Sequence, residues 1–114
     1  MAGSEIDITE RKRTEDALQQ SEARFRALAE ALPAIVWTAD DAGNMDWFNQ
    51  RWYDYTGRRP GFGLGSRWVE AAHPDDVPRT LTRWEETQRQ GAMFENEIRI
   101  RRHDGTYRWF LVRA

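Results

Sequence analysis

At 114 residues, with 39% hydrophobic and 32% charged side chains, the chain has the length of one modest domain and an ordinary globular make-up, which argues against disorder and against collagen-like or membrane classes. Lys plus Arg at 17 against Asp plus Glu at 19 leaves a formal net charge of −2, so no global attraction for nucleic acid or an anionic membrane is expected. The absence of cysteine excludes disulfides, thiolate metal sites, cysteine nucleophiles and thiol-dependent flavin photochemistry.

No apolar run approaches the roughly 20 residues that span a bilayer, and MAGSEID lacks the blocks of a signal peptide, so a cytoplasmic location without membrane insertion is expected. From Thr9 to Leu32 nothing breaks a helix. Asp7 and Glu10 have capping-box spacing, Thr9 is a second candidate cap, and Pro33 disfavours helical geometry at Leu32; a helix of about 20 residues is predicted. Leu18, Phe25, Leu28 and Leu32 form a heptad seam interrupted by Ser21. The seam suits a helix docked on its own domain, a coiled coil between two chains, or both.

Ile35 to Ala39 is a β-type run, and Asp41-Ala42-Gly43-Asn44 is a turn signal before Met45 to Phe48, which together predict a hairpin. The ring-rich WFNQRWYDYTG then changes period: Trp52 and Tyr55 lie one short helical step apart, Asn49 suits the cap, and Gly57 suits a left-handed helix end. RRPGFGLGSR reads as a flexible loop beside a pocket. Its glycines match neither G-x-G-x-x-G nor a GK[ST] phosphate loop.

His73-Pro74-Asp75-Asp76 is expected to open the next helix, with Val77, Leu81 and Trp84 as its buried face and Gly91 at its end. A metal cluster there would need further ligands, and capping accounts for the carboxylates. His103 has a turn explanation beside Asp104-Gly105.

FENEIRIRR-HDGT-YRWFLVRA predicts a second hairpin. A two-residue Asp104-Gly105 loop would pair Arg102 with Tyr107, Ile100 with Trp109 and Ile98 with Leu111. One face would then carry Phe94, Ile98, Ile100, Tyr107, Trp109 and Leu111; Phe110 and Val112 would lie on the other, needing a cover such as the leading helix.

SEARFRALAEALPAIVWTADDAG, WFNQRWYDYTG, W-x4-HPDD, FENEIRIRRHDG and YRWFLVRA, in that order, resemble a PAS domain of the PAC-containing bacterial sensor type over residues 21–114. The resemblance implies an α+β fold: a curved antiparallel sheet with short helices on one face, behind an N-terminal linker helix. It implies residues 1–20 as linker with a tail-like piece of a preceding PAS domain, since Glu5-Ile6-Asp7-Ile8-Thr9-Glu10-Arg11-Lys12-Arg13 resembles such a domain's ending. The family's fifth, central strand has no counterpart before Ala114; a continuing parent chain or residues 4–8 of a neighbouring chain would have to fill that gap.

The implied role is a sensory and signal-relay module of a larger bacterial protein, non-catalytic in this segment. A sensor histidine kinase or cyclic-dinucleotide enzyme is the implied parent; a homodimer and adjacent PAS and output domains are the implied partners. Leu18, Phe25, Leu28, Leu32, Phe110 and Val112 are the relay and dimer candidates. The competing reading is a small-molecule receptor whose pocket takes an aromatic or apolar ligand. Trp37, Phe48, Trp52 and Tyr55, with Trp68, Ile98, Ile100 and Trp109, are its pocket candidates, although rings at helical spacing also serve as plain core. No cofactor is expected: noncovalent flavin stays open without a motif for it, and neither His73 nor His103 sits where haem-binding members carry their ligand.

Overall fold

The computed structural model describes residues 1–114 and divides into two units, Met1–Pro33 and Ala34–Ala114. The first holds helix α1, Thr9–Ala31. At its start Asp7 Oδ1 accepts hydrogen bonds from the Thr9 amide (2.9 Å) and hydroxyl (2.6 Å), bonds that hold the Asp7 carboxyl below its ordinary pKa. Glu10 does not close a capping box; it pairs with Arg13 at 3.2 Å. Pro33 ends the helix as predicted, with Leu32 extended at ψ 142°.

In the second unit, β1 (Trp37–Ala39) pairs antiparallel with β2 (Met45–Phe48). Asp40 builds the turn between them: its Oδ1 accepts from the Ala42 amide (3.0 Å) and the Asn44 amide (2.9 Å), while Gly43 takes φ 84°. Helix α2 (Gln50–Thr56) stops at Gly57, where φ is 69° and the amide donates to the Tyr53 carbonyl. A 3-10 turn follows at Arg67–Glu70, then α3 (Val77–Gln90). Strands β3 (Glu95–Arg101) and β4 (Tyr107–Arg113) form a second antiparallel pair. The fold is α+β with two two-stranded sheets and no ladder between them, so the central fifth strand is not formed by these residues.

Three sequence expectations are corrected. Pro74 lies outside α3, and Pro78 occupies its first turn. Of the expected face, Val77 and Trp84 are half-buried and Leu81 is 45% exposed, while the buried side chains are Thr80 and Thr87 of α3 and its N-cap Asp76. Hydrogen bonding sets that rotation: Thr80 Oγ1 donates to the Asp76 carbonyl at 2.8 Å and accepts from Asn96 Nδ2 at 2.9 Å, so polar groups own the inward side.

The third correction is the register of the second hairpin. Ile98 faces Phe110, Arg99 faces Trp109 and Asn96 faces Val112, one residue from the expected pairing. The turn decides it. The Arg102 amide donates to the Thr106 carbonyl at 2.7 Å, enclosing three loop residues with Gly105 at φ 89°. Asp104 Oδ1 locks the loop by accepting from the Thr106 amide (3.1 Å) and hydroxyl (2.7 Å). A slip of one residue moves a whole strand's side chains to the other face. Phe110 and Val112 therefore join Ile98, whereas Tyr107, Trp109 and Leu111 stand on the opposite face at 40%, 60% and 52% exposure.

Candidate functional site: a ring stack and a polar clasp

The apolar centre of the second unit is built on Phe48, Trp52 and Ala71. Strand β2 delivers Phe48 and the first turn of α2 delivers Trp52, so their rings stack at 4.4 Å between centroids. Phe62 lies nearly parallel to Trp52 at 6.0 Å, and its carbonyl accepts from Trp52 Nε1 at 2.9 Å. The glycine-rich segment is thereby fixed against the rings. Met45 and Gly65 exchange both backbone bonds, at 2.9 and 2.7 Å, and a Cβ on Gly63 would sit 2.9 Å from the Trp52 ring. Gly63 therefore serves a close approach at φ 92°, and the loop read as flexible is clamped.

Asn49 is fully buried and occupies the N-cap position of α2, but its side chain is not the cap expected. Its Oδ1 accepts from the Val36 amide at 3.0 Å and its Nδ2 donates to the Ala34 carbonyl at 2.9 Å, tying the segment before β1 to the end of β2. Tyr55 reaches across to β3, donating its hydroxyl to the Ile100 carbonyl at 2.7 Å, and its ring meets Phe110 edge-on at 5.0 Å. Burial pushes the Tyr55 phenol up, against the pull of Arg108 and Arg102.

Of the pocket candidates, Phe48, Trp52 and Ile98 are buried, while Trp37, Trp68 and Ile100 are half-buried around the same centre. Trp37 also meets Trp84 edge-on at 6.0 Å. Trp109 does not join them: the register turns it to the opposite face, where the Arg99 guanidinium lies 4.8 Å from its ring. Among the relay candidates, Phe110 and Val112 are half-buried on the Ile98 face. Leu18, Phe25, Leu28 and Leu32 in the first unit are 60%, 47%, 63% and 50% exposed.

In the sequence Asp76 has the place of a helix-start acid; the structure gives it a larger role. Its carboxylate is 2% exposed and grips Arg99 three ways: the Arg99 amide (2.8 Å) and Nε (3.0 Å) donate to Oδ2, and a terminal nitrogen donates to Oδ1 (2.7 Å). These bonds hold the Asp76 carboxyl far below the usual carboxylate range, although burial alone would raise it. Arg79 adds a contact at 3.7 Å and donates to the Glu97 carbonyl at 2.6 Å. The signal available in sequence was a second acid after His-Pro-Asp opposite an arginine flanked by isoleucines on a strand; register was needed to join them.

The chain belongs to the PAS family: the family model described as "PAS fold" matches residues 46–114. It is 36% identical over 96% of its length to an uncharacterized protein, y4lL, of Sinorhizobium fredii, and 32% identical over 79% to the peroxide stress-activated histidine kinase mak1 of Schizosaccharomyces pombe. A hybrid signal transduction histidine kinase H of Dictyostelium discoideum is 24% identical over 97% of the chain. The chain spans only 13%, 6% and 11% of those three relatives. No solved structure gives a significant match. No helix is long and apolar enough to cross a membrane.

Proposed function

We propose that this PAS segment is a cytoplasmic relay module of a longer signalling protein of the histidine-kinase kind, acting through dimerisation of its leading helix. The observation that carries the reading is the seam on α1. Leu18 and Leu28 are each about three-fifths exposed on one 23-residue helix and continue to Leu32 beyond its end. Large apolar side chains in a heptad series, exposed together, favour burial against a second helix. A 23-residue helix is about 35 Å long, enough to carry a rotation or shift between modules. The partner is a second copy of this chain, and the output lies in the parent protein.

Kinship to histidine kinases supports the signalling role. Two relatives are named for activation by peroxide stress; with no cysteine in this segment, a thiol-based peroxide response within it is excluded. Sedimentation of the chain across a concentration series tests the reading. Association that weakens at least about tenfold in Leu28→Glu, a loss of about 1.4 kcal/mol, is expected. Association unchanged in both Leu18→Glu and Leu28→Glu sinks it.

A further inference from the structure

A cleft of about 220 Å³ lies where α2, the end of the 3-10 turn and the turn of the second hairpin meet, with Phe62 and Ala71 of the ring centre in its wall. Arg58, Phe62, Glu70, Arg101, Arg102 and His103 line it. Its charge balance is unlike that of the chain, which is net negative. Glu70 is engaged by Arg67, outside the cleft, at 3.3 Å, and Arg102 by Asp104 at 3.4 Å. Arg58 and Arg101 enter no ion pair; the Arg58 guanidinium lies 5.2 Å from the Phe62 ring centre instead. Two arginines that enter no ion pair thus line one concavity.

The walls are fixed by backbone. The His103 amide donates to the Tyr55 carbonyl at 2.8 Å, and the Arg101 amide to the Ala71 carbonyl at 2.8 Å. Gly57 passes so close to His103 that a Cβ would stand 2.6 Å from the histidine Cβ. The three elements hold one geometry before any ligand arrives, which reduces the entropy lost on binding.

We propose that this cleft binds a small multivalent oxyanion of the phosphate type, with Arg58 and Arg101 as its charged arms and Arg102 and His103 as further donors at its rim. Planar guanidinium forks match the oxygens of phosphate in paired hydrogen bonds. With a water occupying about 30 Å³, the volume admits a phosphate group together with waters or a small organic substituent. The Phe62 ring offers such a substituent an apolar wall. The site does not rest on the relay reading, because every group lies within residues 34–114.

Titration of the ¹⁵N-labelled chain with inorganic pyrophosphate at constant ionic strength tests it. Saturable shifts centred on Gly57, Arg58, Arg102 and His103 are expected, with affinity reduced at least about tenfold in Arg58→Ala/Arg101→Ala. Because both side chains are exposed and the Arg101 bond to Ala71 uses backbone, the variant should keep the native spectrum. Glu70→Gln, which removes the cleft's own carboxylate, should tighten binding and guards against a variant that misfolds. Leu28→Glu should leave binding unchanged. Absence of saturation, shifts centred elsewhere, or undiminished binding in the double variant overturns the proposal.

Discussion

Strands β3 and β4 are partners in one hairpin, yet they are anchored in opposite ways. The outward edge of β3 is closed by the rest of the domain: Asp76 takes the Arg99 amide, the His73 amide donates to the Arg99 carbonyl at 2.9 Å, the Arg101 amide reaches Ala71, and Arg79 takes the Glu97 carbonyl. The register points the Tyr107, Trp109, Leu111 and Arg113 backbone groups away from β3, and no hydrogen bond reaches them on that side. Closed edges resist further strands, and open edges invite them. The contrast separates a side of the hairpin built for stability from a side available for association.

That contrast sets the order of mutational effects. Ile98, 4% exposed in the middle of β3, should be the most costly truncation: Ile98→Ala is expected to lose about 3 kcal/mol by urea denaturation, within the range for buried aliphatic side chains.

Asp76→Ala should come close behind, at about 3 kcal/mol, because it leaves the Arg99 amide and guanidinium without their acceptor. The pH dependence has a definite sign. The folded-state pKa of Asp76 is lowered from the ordinary 3.8, so its stabilisation is fully present above that value and is lost as acid is added below it. Asp76→Asn should therefore flatten the fall of stability below about pH 4. The lowered Asp7 and Asp104 carboxyls remain in that variant and keep a residual slope. An unaltered acid limb would remove Asp76 from the clasp.

Phe110→Ala is expected to cost about 2 kcal/mol, less than a fully buried ring, since Phe110 is half-buried against Tyr55. Tyr55→Phe, which keeps the ring and deletes the bond to the Ile100 carbonyl, should cost about 1 kcal/mol. Comparing the two variants separates packing from hydrogen bonding at this link.

The two hairpins also show what could be read in sequence. In the first, Asp40, Gly43 and Asn44 announce the turn and Met45–Phe48 ends at a change of period, so local signals suffice. In the second, β4 is YRWFLVR, with large apolar groups at both odd and even positions, so binary pattern cannot choose its face. The choice lies in Asp104 and Thr106, whose loop bonds add one residue to the turn. The clasp was hidden for a related reason: Asp76 and Arg99 lie 23 positions apart, and α3 shows no polar periodicity until Thr80 and Thr87 are known to face inward. Helix α1 and the glycine stop at Gly57 needed only short-range pattern, which is why they were legible.

The smallest expected effect is the most discriminating. Trp109 is the larger side chain, yet at 60% exposure its truncation opens no interior cavity, and its contact with Arg99 is worth about 0.5 kcal/mol at an exposed site. Trp109→Ala should therefore cost about 0.5 kcal/mol while Ile98→Ala costs several times more. In the one-residue-shifted register Trp109 would sit beside Ile98 in the interior, and its truncation would cost about 3 kcal/mol or more. Equal losses for the two variants would reject the three-residue loop at His103–Gly105, and with it the assignment of the Tyr107, Trp109 and Leu111 face to solvent.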